Sequence, residues 1–167
     1  MRTVAVLVVS AATLVAASSA SAAIITRTAK TVAYSLTLDV GPAETMYSQA
    51  DVKKMHPKTG ELMIGGSMAM TGSMALMKGD VERHLELHVA SRLTGAVVTN
   101  VVPTITLTDS SAMAMAATKV DAVAMQSVTK GASDRHYGNN VSLKLGDAYK
   151  VSVVVHGEKA SFTFKAA

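Results

Sequence analysis

The chain has 167 residues, of which 16 are Lys or Arg, 12 are Asp or Glu and none is Cys. This length favours one domain, and the absence of Cys excludes a disulfide scaffold, a thiolate metal site and a thiol nucleophile. The net charge of +4 is spread along the chain and only 4% of the residues are aromatic, so the composition gives no support for nucleic-acid binding.

Residues 1–22 have the pattern of a secretory signal peptide. Arg2 gives a positive start, residues 4–17 are apolar and uncharged, and Ala20-Ser21-Ala22 is a small-x-small cleavage site. The apolar run is short for a transmembrane helix. We therefore expect cleavage before Ala23 and a periplasmic or secreted protein, with an uncleaved anchor as the alternative.

Residues 23–167 are predicted to form one all-β domain. Apolar residues alternate over 31–40, including Val32, which predicts a half-buried strand ended by Gly41-Pro42. A helix is predicted at 49–55 with Ser48 as its N-cap and His56-Pro57 at its end. Further strands are predicted at 61–70, 83–92, 96–102, 103–108, 119–125, 141–145, 149–155 and 160–165.

The last two predicted strands form a hairpin across residues 156–159. Seven or eight short strands separated by turns are typical of an antiparallel immunoglobulin-like β-sandwich. Residues 65–79 are the one low-complexity stretch and predict a loop rich in Met and Gly.

His84-Leu85-Glu86-Leu87-His88 lies within the predicted strand 83–92. Because alternate side chains of a strand share a face, His84, Glu86 and His88 emerge together, and the outer pair is about 13 Å apart along the strand. Two neighbouring members can therefore bind one metal ion, with the third in a second shell or an adjacent site. The alternative is a solvated outer face without a ligand.

His136 stands in Arg135-His136-Tyr137-Gly138, on a predicted loop that enters a strand and can aim an imidazole at a cleft. The alternative is ordinary turn chemistry, because Gly-Asn-Asn follows.

The ten methionines after Met1 lie between Met46 and Met125. Some are expected to fill the core, but those of the 65–79 loop have no core pattern around them. A second, looser group contains Met113, Met115 and Met125. Since thioether sulfur favours Cu(I) and imidazole suits Cu(II), iron and zinc, these residue types point to copper. The alternative for the loop methionines (Met68, Met70, Met74 and Met77) is a mobile, oxidisable loop.

These motifs resemble the periplasmic Fe2+ transport protein family. The resemblance rests on three features: His-Leu-Glu at 84–86, a Met that precedes the His-Tyr-Gly motif at 136–138, and a C-terminal hairpin of alternating apolar and polar residues. It implies an immunoglobulin-like sandwich, often dimeric, that binds copper or iron and serves a membrane iron permease. The ligands it implies are His84, Glu86, Met125 and His136, with His88 where the family has an acidic residue and His156 as a weak substitute for a missing family His.

The sequence therefore predicts a non-catalytic metal-binding protein for copper, or for iron, that acts in metal uptake or handling. The alternative is an immunoglobulin-like protein-interaction module, which predicts no bound metal and a large separation of His84 from His136. An enzyme is not expected, because no nucleophile elbow, carboxylate pair or cofactor fingerprint is found. The metal hypothesis requires the side chains of His84, Glu86 and His136 to reach one point.

Overall fold

The structure, a computed structural model, describes residues 23–64, 79–112 and 117–167. Within these ranges the chain forms eleven strands and one α-helix. In chain order they are β1 (Ile25–Lys30), β2 (Tyr34–Pro42), β3 (Met46–Tyr47), α1 (Gln49–Met55), β4 (Glu61–Met63), β5 (Asp80–Ser91), β6 (Thr104–Asp109), β7 (Ala117–Val120), β8 (Val123–Ser127), β9 (His136–Lys144), β10 (Ala148–Val155) and β11 (Glu158–Lys165). A 3-10 turn at Gly131–Asp134 precedes β9.

The strands form two sheets. Seven pair in the order β1-β2-β5-β9-β8-β4-β3, and four pair in the order β11-β10-β6-β7. Every pairing is antiparallel except that of β3 with β4. The predicted all-β sandwich is confirmed, although the described residues hold more strands than the expected seven or eight. The immunoglobulin-like subtype stays a prediction.

The core lies between the inner faces of the two sheets. Leu85 and Leu87 of β5 enter it from the larger sheet, and Val151 and Val153 of β10 enter it from the smaller one. Each fully buried aliphatic side chain contributes about 1.5–3 kcal/mol relative to an exposed one. Apolar residues at every second position of β2, β5, β6 and β10 therefore fix which face of each strand points inward.

The first two strands differ from the prediction. The predicted strand 31–40 begins only at Tyr34, because Val32 lies in the turn from β1 to β2 and is exposed. The strand β1 was not predicted, since its burial pattern alternates only weakly. The helix prediction is confirmed: Ser48 caps α1 and forms a capping box with Asp51.

Three later predictions need correction. Residues 96–102 form no strand, and only an isolated bridge joins Val97 to Ala90. The predicted strand 119–125 is two strands, because the chain leaves the smaller sheet after β7 and enters the larger one as β8. Of the predicted strand 61–70, residues 61–63 form β4, Ile64 is outside the strand, and residues 65–70 lie outside the described residues. The C-terminal hairpin is confirmed, with the turn at His156-Gly157, where both residues have positive φ.

Several predictions lie outside the described residues. They concern the signal peptide at 1–22, loop positions 65–78, and Met113 and Met115. Within the ranges that the structure describes, no helix has the length and apolar character needed to cross a membrane.

Gly138 controls how closely β5 and β9 approach. A Cβ built at this position would overlap the carbonyl oxygen of Leu85 on the neighbouring strand, so any side chain would push the two strands apart. At Gly41 of β2 a Cβ would meet only Ile24 Cγ1 at 3.5 Å, which is ordinary van der Waals contact.

We therefore expect Gly138→Ala to lower the free energy of unfolding by at least about 2 kcal/mol, because the β5 backbone has to move. Gly41→Ala is the matched control and should stay within about 1 kcal/mol of the wild type. Urea denaturation of the two variants measures both values. Equal stability of both variants would contradict the assigned packing of β5 against β9.

Candidate metal centre

The outer face of β5 carries the three polar residues of the His-Leu-Glu-Leu-His motif. Leu85 and Leu87 point into the core, so His84, Glu86 and His88 point to the opposite face of the seven-stranded sheet. The His84 side chain is 0% exposed, whereas Glu86 and His88 keep 23% and 28% of their side-chain surface. This face is therefore not the fully solvated one of the alternative interpretation.

His136 meets this face from the adjacent strand. It is the first residue of β9 and not a loop residue as predicted, and it is completely buried. Its ring centroid lies 5.3 Å from that of His88 and 5.9 Å from that of His84. Asn140, which pairs with His84, is four residues further along β9, a distance of about 13 Å. The rings of His84 and His136 therefore lean towards each other over Gly138, which has no side chain.

The backbone fixes the tautomer of His136. Its Nδ1 lies 2.8 Å from the carbonyl oxygen of Asp134, which can only accept a hydrogen bond, so Nδ1–H is the donor. In the neutral ring Nε2 then carries a lone pair. This atom is buried and has no hydrogen-bond partner among the described residues.

Asn140 fixes the tautomer of His84 in the same way. The Asn140 Oδ1 accepts from the backbone N–H of Glu44 and its Nδ2 donates to the Glu44 carbonyl, so the orientation of the amide is set. His84 Nδ1 lies 2.8 Å from that Oδ1 and must donate to it. The Nε2 of His84 is likewise buried and without a partner in the described part of the chain. Metal-binding histidines are commonly held by such a hydrogen bond from the second ring nitrogen.

Glu86, His88 and His136 form the tightest group. One potential ligand atom of each lies within 4.8 Å of the others, and this group of described residues contains Glu86 and His136 but not His84, which was predicted to join them. His88 Nε2 is 3.5 Å from Glu86 Oε2 and 3.7 Å from Asp39 Oδ2. Two ligand atoms that bind a tetrahedral ion at 2.0–2.1 Å are about 3.4 Å apart, so the group is close to the spacing of a metal site.

Met125 lies directly beside His136. The two residues are Cα partners in the pairing of β8 with β9, and Met63 of β4 is the partner of Met125 on its other side. Paired residues share a face, with Cβ atoms about 4.5–5.5 Å apart. Met125 is 0% exposed but does not belong to the apolar cluster between the sheets. Its side chain therefore lies on the same face of the sheet as that of His136 and outside this apolar cluster.

Glu61 is a member of the site that sequence reasoning missed. It is 6% exposed, and its Oε2 lies 3.5 Å from His136 Nε2 without any hydrogen-bond donor among the described residues. Burial, with repulsion from Glu86, Asp134 and Glu44, raises the pKa of Glu61 to about 8. No local pattern marks this residue, because only the pairing of β4 with β8 brings it to the histidines.

His156, the proposed substitute ligand, has a different contact. Its Nδ1 is 2.9 Å from the hydroxyl of Tyr34, and the two rings pack edge to face. It therefore joins the C-terminal hairpin to the start of β2. The group of close ligand atoms found in the described chain does not include it.

Acidic residues surround the histidines. Five of the twelve acidic residues of the chain act on this site: Asp39, Glu44, Glu61, Glu86 and Asp134. Burial lowers the pKa of both His84 and His136, so both rings are neutral at pH 7 and able to act as ligands. Interaction with Glu86 raises the pKa of His88. Burial alone would raise the pKa of Glu86, but the pKa is lowered overall by His88, His136 and His84.

The raised pKa of Glu61 predicts a pH-dependent stability of the metal-free protein. Folded Glu61 keeps its proton up to about pH 8, whereas the unfolded side chain is ionised above 4.5. Unfolding between these values releases a proton, so the contribution of Glu61 to stability falls as the pH rises. Glu61→Gln should therefore raise the melting temperature at pH 8 and change it much less at pH 5.

Glu158→Gln is a control of opposite sign. Hydrogen bonds from Thr31 and the Ala33 N–H lower the pKa of Glu158, so its stabilising effect is present above pH 4.5 and is lost in acid. This variant should melt below the wild type at pH 8. A Glu61→Gln variant without a rise at pH 8 would contradict the burial of this carboxyl.

Comparison of the chain with protein-family models, with curated proteins and with solved structures gives no match. The likeness to the periplasmic Fe2+ transport protein family thus rests on its motif residues alone. Five neighbouring strands of one sheet assemble the candidate metal centre: β2, β5, β9, β8 and β4.

Proposed function

We propose that the protein binds copper or iron and acts in metal uptake or handling outside the cytoplasm, without catalysing a reaction. The observation that carries the proposal is the pair of buried Nε2 atoms on His84 and His136, which have lone pairs and no hydrogen-bond partner among the described residues. Buried polar atoms are nearly always paired, so two such atoms on one face of the sheet, one of them 3.5 Å from Glu61 Oε2, support a role as metal ligands.

The donor set favours a transition metal. Calcium and magnesium select sites made of oxygen ligands, whereas imidazole nitrogen suits copper, iron and zinc. Met125 adds a thioether beside His136, and thioether sulfur favours copper. Copper is therefore the first metal to test and iron the second. The resemblance adds a membrane iron permease as partner, a homodimer as assembly and the periplasm as location.

The interaction-module alternative receives less support. It predicts that His84 and His136 are far apart, but their ring centroids are 5.9 Å apart. It also gives no reason for a thioether, three imidazoles and buried carboxylates on one face of a sheet.

The first test removes the two imidazoles. His84→Ala/His136→Ala should lower the affinity for Cu(II) and Fe(II) by at least about a hundredfold, measured by anaerobic calorimetry on chains first stripped of metal. Glu86→Gln, at a partly exposed position, should weaken binding without the packing defect of the double variant. Circular dichroism checks that each variant is folded.

A histidine-matched control is His56→Asn/His156→Asn, because both residues have positive φ, which Asn tolerates. This control should bind metal as the wild type does. Unchanged affinity in a folded His84→Ala/His136→Ala chain would remove the site assignment, and a wild-type chain that binds neither ion would overturn the proposed function.

Met125→Leu tests the soft ligand separately. Leu has nearly the volume of Met, so the loss in stability should stay below about 1.5 kcal/mol. The Cu(I) affinity should fall roughly tenfold because the thioether is gone, with little change for Mn(II), which does not favour sulfur. Competition with a Cu(I) chelator measures this affinity. Equal Cu(I) affinities for Met125→Leu and the wild type would exclude Met125 as a ligand.

A further inference from the structure

Glu61 and His136 face each other in a buried position without forming a hydrogen bond. Glu61 Oε2 and His136 Nε2 are 3.5 Å apart, and neither has a hydrogen-bond partner in the described part of the chain. A separation of 3.5 Å is longer than a hydrogen bond. This separation is suitable for two ligands of one ion. If each atom were bound at about 2.1 Å, the angle between the two metal–ligand bonds would be about 115°.

The contacts of the described residues give no other reason for a carboxylate at position 61. The backbone of Glu61 is satisfied by the Thr45 carbonyl and by pairing with β8, and these bonds do not depend on the side chain. The side chain is nevertheless buried, with 8% of its surface exposed, and three of the four charges that act on it are negative: Glu86, Asp134 and Glu44. Lys130 is the single positive group among those four. An unpaired buried carboxylate is costly unless a cation compensates it.

The number of carboxylates indicates the charge of that cation. Glu61 and Glu86 lie on either side of His136, and each interacts with it. With neutral imidazoles, two ligand carboxylates balance a divalent ion, whereas they would leave a buried Cu(I) with one negative charge in excess. Carboxylate oxygen is also a hard ligand, and Cu(I) prefers sulfur and nitrogen.

We propose that Glu61 is a ligand of the same ion as His136. This ligand makes the centre selective for divalent cations over Cu(I). The proposal rests on the proposed metal-binding function and deepens it. Glu61 acts as a specificity-determining ligand: it contributes to the affinity for Mn(II), Co(II), Fe(II) and Cu(II), while Cu(I) depends on Met125 and the imidazoles.

The test compares Glu61→Gln with Glu44→Gln in the full chain, using Mn(II), Co(II) and buffered Cu(I) as probes. Both carboxyl groups interact with Glu86, but only Glu61 has a buried oxygen without a partner among the described residues. Glu61→Gln should weaken Mn(II) and Co(II) binding by at least about tenfold, since even the loss of an outer partner of a metal ligand costs 10–100-fold. Its Cu(I) affinity should stay within about threefold of the wild type, because the proposed Cu(I) ligands are unchanged.

Two further measurements distinguish a metal ligand at position 61 from a charge that only lies near the site. The visible absorption spectrum of bound Co(II) should change in Glu61→Gln and stay that of the wild type in Glu44→Gln. Glu61→Asp, which shortens the side chain, should also weaken Mn(II) binding although it keeps the charge.

The assignment to Glu61 is overturned if Glu61→Gln keeps the wild-type Mn(II) affinity and Co(II) spectrum, or if Glu44→Gln loses as much affinity. In both cases the proposed function is retained if the wild-type chain binds metal. A wild-type chain that binds none of the three ions overturns the proposed function, and the role of Glu61 with it.

Discussion

The antiparallel pairing of β5 with β9 is the constraint on which the candidate metal centre depends. Glu86 is paired with Gly138 and His84 with Asn140, so the imidazole of His136 reaches the face that carries the β5 motif. A slip of one residue would send every polar side chain of β5 into the core. The core prevents this through Leu85 and Leu87, and the close contact at Gly138 keeps the two strands near enough for the rings to meet.

Each of the two buried histidines has a hydrogen-bond partner at only one of its ring nitrogens among the described residues. A histidine that served packing alone would be expected to find partners for both ring nitrogens, because an unpaired buried polar atom costs about 1–3 kcal/mol. Here Asn140 and the Asp134 carbonyl hold Nδ1 of two rings, while both Nε2 atoms have no hydrogen-bond partner among the described residues, and that of His136 faces Glu61 Oε2. Burial and neighbouring carboxylates raise the pKa of Glu61, whereas interactions with three imidazoles lower the pKa of Glu86.

The sequence predicts the parts of this protein that depend on local patterns. Alternation identified the buried face of β5, and the Ser48 cap identified α1, because both signals lie within a few residues. Alternation failed at 96–102, where apolar residues line a loop, and at 119–125, where the chain changes sheets without a break in hydrophobicity. The roles of Glu61 and Asn140 could not be predicted, since strand order and register, which single-sequence patterns do not encode, bring them to the histidines.

The gradient of exposure across the centre has a kinetic consequence. His84 and His136 are completely buried, while Glu86 and His88 keep about a quarter of their surface, so the described residues leave one accessible side. Because the inner rings already have their final tautomer and orientation, an arriving ion would need no proton transfer or rotation there before it binds. Exchange would then proceed stepwise through Glu86 and His88, as a ligand-by-ligand transfer that a partner protein could complete from the same side.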